Sequence, residues 1–178
     1  MFYGSKNYTS GRGRVDYEKL IAYVTSELID YYNLPEEQFF SDEAYEAVIL
    51  DVLVTTDVYG YVVRTPKYKG LDFFAFLKRI GYTLRVRPFN DEGNEDEPWK
   101  GTTCNMMQMD LLDQCSDYDV VVVVSGSGVF EPAFKAVRKN WPEVRCMIAA
   151  FENTLHDTYE RREGLLDHII YLDEEVLR

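Results

Sequence analysis

Residues 120–124 are five consecutive valines, preceded by Tyr118 and Asp119. Successive side chains of a strand point to opposite faces, so a half-exposed strand alternates apolar with polar residues. A run that is apolar at every position has to be covered on both faces, as in a parallel sheet with helices on either side. β-Branched residues also favour strand over helix. The valine run is therefore predicted as a central strand. Residues 144–151 (VRCMIAAF) and 47–55 (AVILDVLVT) have the same character, and 82–86 gives a shorter strand with Arg85 and Arg87 about its end. Residues 2–4 resemble the end of a further strand.

Between these runs the apolar period changes from continuous to helical. Across 16–32, Leu20, Ile21, Val24, Leu28 and Tyr31 fall on one stripe. Asp16 is placed as its N-cap, with Val15 and Leu20 positioned to staple the entry. Residues 71–80, 103–115 and 132–140 repeat the pattern, the last opened by Pro132 in its first turn. Alternating strands and helices imply right-handed βαβ crossovers. The expected fold is a three-layer α/β/α sandwich with a mainly parallel central sheet and a pocket outside the carboxyl ends of its strands. Neither an internal repeat nor a linker interrupts the chain, and 178 residues suit one core, so 1–178 is read as a single domain. The acidic stretch 90–97 (NDEGNEDE) reads as a solvated loop.

Charge narrows the partners. Thirty-one acidic against 19 basic residues give a formal charge of −12, which repels polyanions unless basic residues gather on one face. No DNA specificity is evident. Cys104, Cys115 and Cys146 are an odd number without CxxC spacing, which suggests neither a disulfide framework nor a zinc site and suits a reduced compartment. No apolar run reaches the roughly 18 to 20 residues of a membrane span, and no basic-then-apolar leader opens the chain, so a cytoplasmic location without membrane association is expected.

Three motifs occur in order: Phe2-Tyr3-Gly4-Ser5-Lys6-Asn7; Lys100-Gly101-Thr102-Thr103-Cys104-Asn105, leading to Asp110; and Ser125-Gly126-Ser127-Gly128-Val129-Phe130 after the valine strand. Together they resemble the NYN family of PIN-like nucleases. That family has a first strand ending in Asp-Gly-x-Asn, a Lys-Gly segment entering a helix with two Asp, and a later strand ending in Ser-Gly-Asp-x-Asp-Phe. Residues 73–88 and 166–173 resemble two further elements of the family, so the likeness spans nearly the whole chain. It implies a metal-dependent ribonuclease in which clustered carboxylates hold Mg²⁺ or Mn²⁺ and activate water against a phosphodiester.

The departures fall on those carboxylates. With Asn7 aligned to the motif Asn, Gly4 stands at the first Asp position, and Ser127 and Val129 stand at the two late ones. Thr103 or Cys104 replaces the first helical Asp, and Asp110 fits the second. One carboxylate makes a poor site for Mg²⁺, which gives up its water reluctantly. The expected function is accordingly a catalytically inactive, pseudonuclease-like domain without a metal cofactor, binding a protein partner, its own copy or RNA. The alternatives are a Mg- or Mn-dependent ribonuclease that recruits acids such as Asp51, Asp57 or Glu131, and a small-anion or nucleotide module.

For that last alternative the candidate ligand-binding residues are Asn7, Lys100, Asp110, Ser125, Gly126, Ser127 and Gly128. A strand-to-helix Ser/Gly turn presents hydroxyls and backbone N–H groups to an anion. Equally, such turns are common because Gly tolerates their backbone angles. The third position of a GxGxxG fingerprint is Glu131, so a dinucleotide loop is not indicated. His156 and His168 lack a neighbouring nucleophile and read as packing or helix-surface residues; Met106, Met107 and Met109 read as core filler. Arg64, Lys67, Lys69, Lys78, Arg79, Arg85 and Arg87, interleaved with Tyr68, Phe73, Phe76 and Tyr82, form the best RNA-facing patch, although phenylalanines at helical spacing also suit a core.

Overall fold

A computed structural model describes residues 14–32, 56–64, 71–88 and 98–178. Asn7, the expected strands at 2–4 and 47–55, the acidic stretch 90–97, Asp51, Lys67 and Lys69 lie outside them. Among the described residues the chain divides into two compact units, one spanning Asp57–Tyr118 and one containing the rest. Both are α/β with parallel strands, as the alternation of elements predicts.

In the Asp57–Tyr118 unit, β1 (Val58–Arg64) pairs in parallel with β2 (Tyr82–Pro88), connected through helix α2 (Leu71–Arg79). Helix α2 packs on β2, and α3 (Pro98–Gln114) packs on β1. The register sets Tyr61 against Arg85 and Gly60 against Leu84. A Cβ built on Gly60 would meet Leu84 Cδ2 at 2.8 Å, the end of a side chain that can turn aside. Strand β1 was not anticipated: its Tyr-Gly-Tyr centre hides the apolar period. Helix α3 begins five residues before its expected start, at Pro98. Met109 on it is 62% exposed, so that methionine is not core filler, whereas Met106 and Met107 are partly buried.

The other unit carries β3 (Val120–Val124), β4 (Arg145–Phe151) and β5 (His168–Leu172), all parallel, in the order β3-β4-β5. The central strand of these three is β4, not the valine run. Every residue of β4 from Cys146 onward is buried, whereas Val123 is the one buried valine of β3. Helix α1 (Tyr17–Tyr31) starts where its cap predicts, with Asp16 Oδ1 accepting from the N–H groups of Glu18 (3.1 Å) and Lys19 (3.3 Å). The two staple residues, Val15 and Leu20, are both buried, in a cluster with Ala149, Phe151, Ile170, Leu172 and Val176. Asp16 Oδ2 accepts from Arg178 Nε at 2.9 Å, and Val15 bridges to Leu177, so the carboxyl-terminal residues close over the start of α1. Helix α4 (Glu131–Asn140) buries Ala133, Phe134 and Val137 and packs on β4; the short α5 (Thr158–Arg161) buries Tyr159, whose ring meets Phe134 edge-on at 6.1 Å. His168 opens β5 and stacks on Tyr31 with centroids 5.1 Å apart, a packing histidine on a strand.

Candidate functional site

Asp110 is positioned by three elements. Because Tyr61 and Arg85 are direct partners in a parallel ladder, their side chains leave the same face of the β1-β2 sheet. From α3, which packs on β1, Asp110 receives both. Its Oδ2 accepts the Tyr61 hydroxyl at 2.9 Å and Arg85 Nε at 3.0 Å. Tyr59, two residues before Tyr61 and so on the same face, lies under the Arg85 guanidinium at 5.1 Å from its ring centroid. The arginine is thus fixed from two sides, by a carboxylate and by an aromatic ring.

Burial, and then the bond to Asp110, push the Tyr61 hydroxyl well above its ordinary range, so it remains a protonated donor near neutrality. Close by in sequence terms, Tyr118 donates to Asp57 Oδ2 at 2.6 Å, and this bond raises the Tyr118 hydroxyl in the same direction. Asp57 therefore serves a tyrosine. Glu131 accepts from Lys135 at 2.6 Å and from Arg162, and the Lys135 bond holds its carboxyl below the usual range. No group of three or more His, Cys, Asp or Glu side chains able to hold a metal occurs among the described residues.

The Ser125–Gly128 turn follows β3 and leads through a single 3₁₀ turn, Gly128–Phe130, into α4. Ser125 N–H donates to Val123 O at 3.1 Å, and Ser127 N–H donates to Ser125 Oγ at 3.3 Å. The carbonyl of Gly126 accepts His156 N–H at 2.9 Å, and that of Ser127 accepts the Tyr159 hydroxyl at 2.7 Å. Neither glycine lies in the left-handed region; Gly81 and Gly164 do. Close approach explains them instead. A Cβ on Gly126 would fall 2.0 Å from Thr154 O, and one on Gly128 would fall 2.8 Å from the His156 ring. Two amides that an anion cradle would offer are thus engaged within the turn itself, and the glycines are required by packing against residues 154–156.

Of the expected site residues, Asp110 is placed among Arg85 and Tyr61; Ser125, Gly126, Ser127 and Gly128 form one packed turn; Lys100 lies in the first turn of α3; Asn7 is outside the described residues. Val129, at an Asp position of the family motif, is 46% exposed. Arg85, which stands in the expected RNA-facing patch, is bonded to Asp110 and is 40% exposed. Arg79 of the same patch lies over the Phe76 ring at 5.6 Å. The signal for the Asp110 contact was present in the period-2 spacing of Tyr59 and Tyr61, but only with β1 recognised as a strand.

Residues 1–161 match the NYN domain family. Among solved structures, the chain is similar to the crystal structure of a protein of unknown function from Vibrio parahaemolyticus, with 15% identity, a TM-score of 0.67, and coverage of 99% of this chain and 89% of that one. At that identity the likeness is one of fold. Comparison with curated proteins gave no match.

Proposed function

The chain belongs to the NYN domain family, and from that premise we propose that it is a pseudonuclease, a nuclease-like domain that acts as a binding subunit. The observation carrying this reading is the pairing of Asp110 Oδ2 with Arg85 Nε at 3.0 Å and the Tyr61 hydroxyl at 2.9 Å. In a metal-dependent nuclease a carboxylate at this position faces a divalent cation. Here a guanidinium supplies the counter-charge, and it cannot polarise water or a phosphoryl oxygen as Mg²⁺ does.

Mg²⁺ is commonly held by one or two carboxylates with substrate phosphates and retained waters. At Asp110 the ion would sit beside a guanidinium that is bonded to Oδ2 and also held against Tyr59, so the two positive charges would repel. Gly4, Ser127 and Val129 offer no carboxylate at the other family positions. Among the described residues the donor set therefore does not fit Mg²⁺ or Mn²⁺. A protein partner or a second copy of the chain is favoured over RNA, because the net charge of −12 repels a polyanion.

Calorimetric titration of the chain with Mn²⁺, alongside incubation with single-stranded RNA, tests this. No stoichiometric metal binding and no metal-dependent cleavage are expected. A stoichiometric site, or cleavage abolished by Asp110→Ala, would establish the working ribonuclease instead. Light scattering at rising concentration then separates self-association from a requirement for a different partner.

A further inference from the structure

A second charged feature involves none of the residues named above as candidate ligands. Lys135, Arg138 and Lys139 on α4 and Arg162 after α5 line an open cavity of about 350 Å³, completed by Glu163, Gly164 and Leu165. The helical spacing of three and four residues brings the first three to one side of α4. Gly164, at φ +74, turns the chain in the left-handed region that side chains resist, and shapes the facing loop.

The cations here outnumber their partners. Glu131 is shared by Lys135 and Arg162. Asp167 is shared by Arg138, at 2.6 Å, and by Arg145, at 3.0 Å. Lys139 is exposed and pairs with no carboxylate among the described residues. Against Glu131, Asp167 and Glu163 on the rim, the four cations that line the cavity leave an excess of one positive charge, on a chain whose total is −12. Such a local excess is opposite in sign to the molecule as a whole and gives a negatively charged chain a place where an anion meets cations at close range.

The groups differ in mobility. Arg138 is fixed, since its Nε also donates to Leu165 O at 3.3 Å, and its side chain is 22% exposed. Lys135 and Arg162 are about half exposed and share the single carboxylate of Glu131, so each keeps further N–H donors for a ligand. A rigid guanidinium flanked by flexible ammonium groups suits a tetrahedral oxyanion, to which cations bind through short charge-assisted bonds. No aromatic side chain lines the cavity, so it offers no stacking platform for a base.

We propose that this cavity binds a phosphate monoester dianion, free or as the terminal phosphate of a small ester, and reads its charge rather than the group attached. The site is separate from the Asp110 cluster, and its test does not depend on whether the domain cleaves RNA.

The experiment is calorimetric titration of the full chain with adenosine 5′-monophosphate, orthophosphate and adenosine, at pH 5 and pH 7.5. Saturable one-site binding of the monophosphate in the millimolar range or tighter is expected, with adenosine silent. Affinity should rise with pH, because the second phosphate proton leaves near pH 6. Lys135→Gln and Lys139→Gln should each weaken binding by about tenfold, the scale of one charge-assisted hydrogen bond, while Lys139→Arg retains it. Unchanged melting curves for these surface variants keep the loss attributable to the ligand. Equal affinity for orthophosphate assigns the site to free phosphate, and tighter binding of the monophosphate assigns it to an ester. Silence of both phosphates at about 10 mM, adenosine binding as tightly as its monophosphate, or wild-type affinity in the double variant Lys135→Gln/Lys139→Gln would each overturn the proposal.

Discussion

Gly126→Ala separates the two readings of the Ser/Gly turn. If the glycine serves close packing, the substitution should destabilise the fold; if it serves an anion, it should alter binding and leave stability alone. The new Cβ would lie 2.0 Å from Thr154 O, 2.6 Å from its carbonyl carbon and 3.1 Å from Leu155 N, all backbone atoms. That backbone cannot easily retreat. Leu155 N–H is bonded to Phe151 O at 3.1 Å and Glu152 O at 3.2 Å, and Thr154 Oγ1 donates to Phe151 O at 2.9 Å, which ties the segment to the end of β4.

Relieving the overlap requires a shift of the turn, which also strains the 2.9 Å bond from His156 N–H to Gly126 O. Overpacking costs about 1–3 kcal/mol, and a lost hydrogen bond adds about 1 kcal/mol, giving roughly 2–4 kcal/mol in total. For a chain of this length each kcal/mol lowers Tm by about 2–4 °C, so a fall of roughly 4–16 °C is expected in thermal unfolding followed by circular dichroism. Gly164→Ala is the control. Its φ of +74 predicts strain, but nothing lies within 4 Å of the added Cβ, so its cost should stay near about 1 kcal/mol. A Gly126→Ala protein melting within about 1 °C of wild type, or melting above Gly164→Ala, would refute close approach as the reason for the glycine.

Asp110→Ala should lower Tm by a few degrees at most, since Arg85 and Asp110 are 40% and 27% exposed and solvent screens the pair to about 1 kcal/mol; a much larger fall would give Asp110 a structural weight that this geometry does not support. Asp167→Asn should cost about 3 kcal/mol in denaturant unfolding, because its 8% exposed side chain holds Arg138, Arg145 and the Cys146 N–H at 2.7 Å. Burial raises the Asp167 carboxyl, but the Cys146 amide and the two arginines outweigh it and leave it below its ordinary value. Its contribution is therefore complete above about pH 4 and lost as pH falls through the lower folded value, so acid titration of stability should be flatter in Asp167→Asn than in wild type. Burial first, then Asp173, Glu27 and Glu175, push the Tyr23 hydroxyl up to about 12. Its contribution is present below pH 10 and disappears as pH rises toward 12, and Tyr23→Phe should shallow that alkaline loss in melting curves recorded from pH 9 to 12.

The elements most legible in the sequence were those whose signals are local. Asp16, Val15 and Leu20 specify the start of α1 through a cap and a staple, and both appear as expected. Pro132 marks α4 in the same way. Less was legible where burial depends on neighbours. Five valines announce a strand more loudly than RCMIAAF, yet among the described residues it is β4 that lies between two others and is buried from Cys146 to Phe151. Composition reports what a strand can bury; its place in the strand order decides what it does bury. Strand β1 escaped because Gly60 and two tyrosines break the apolar run, and the Asp110 contact escaped with it, since it requires Tyr61 and Arg85 to be ladder partners.

Clustered carboxylates repel one another, so an acidic metal centre is held together by the cation it binds. Removing carboxylates one at a time does not weaken metal binding evenly, because each loss leaves fewer ligands to offset the cost of stripping water from Mg²⁺. A solitary carboxylate carries one charge, which one guanidinium balances without any dehydrated ion. On the reading proposed above, Asp110 is satisfied by Arg85, a side chain on β2, rather than by metal from solution. Tyr59 reinforces the choice by holding the Arg85 guanidinium over its ring. Carboxylates placed at positions 4, 127 and 129 are therefore expected to give weaker Mn²⁺ binding in calorimetric titration with Arg85 present than in the same protein carrying Arg85→Ala, and equal binding in the two would refute the role given to the arginine.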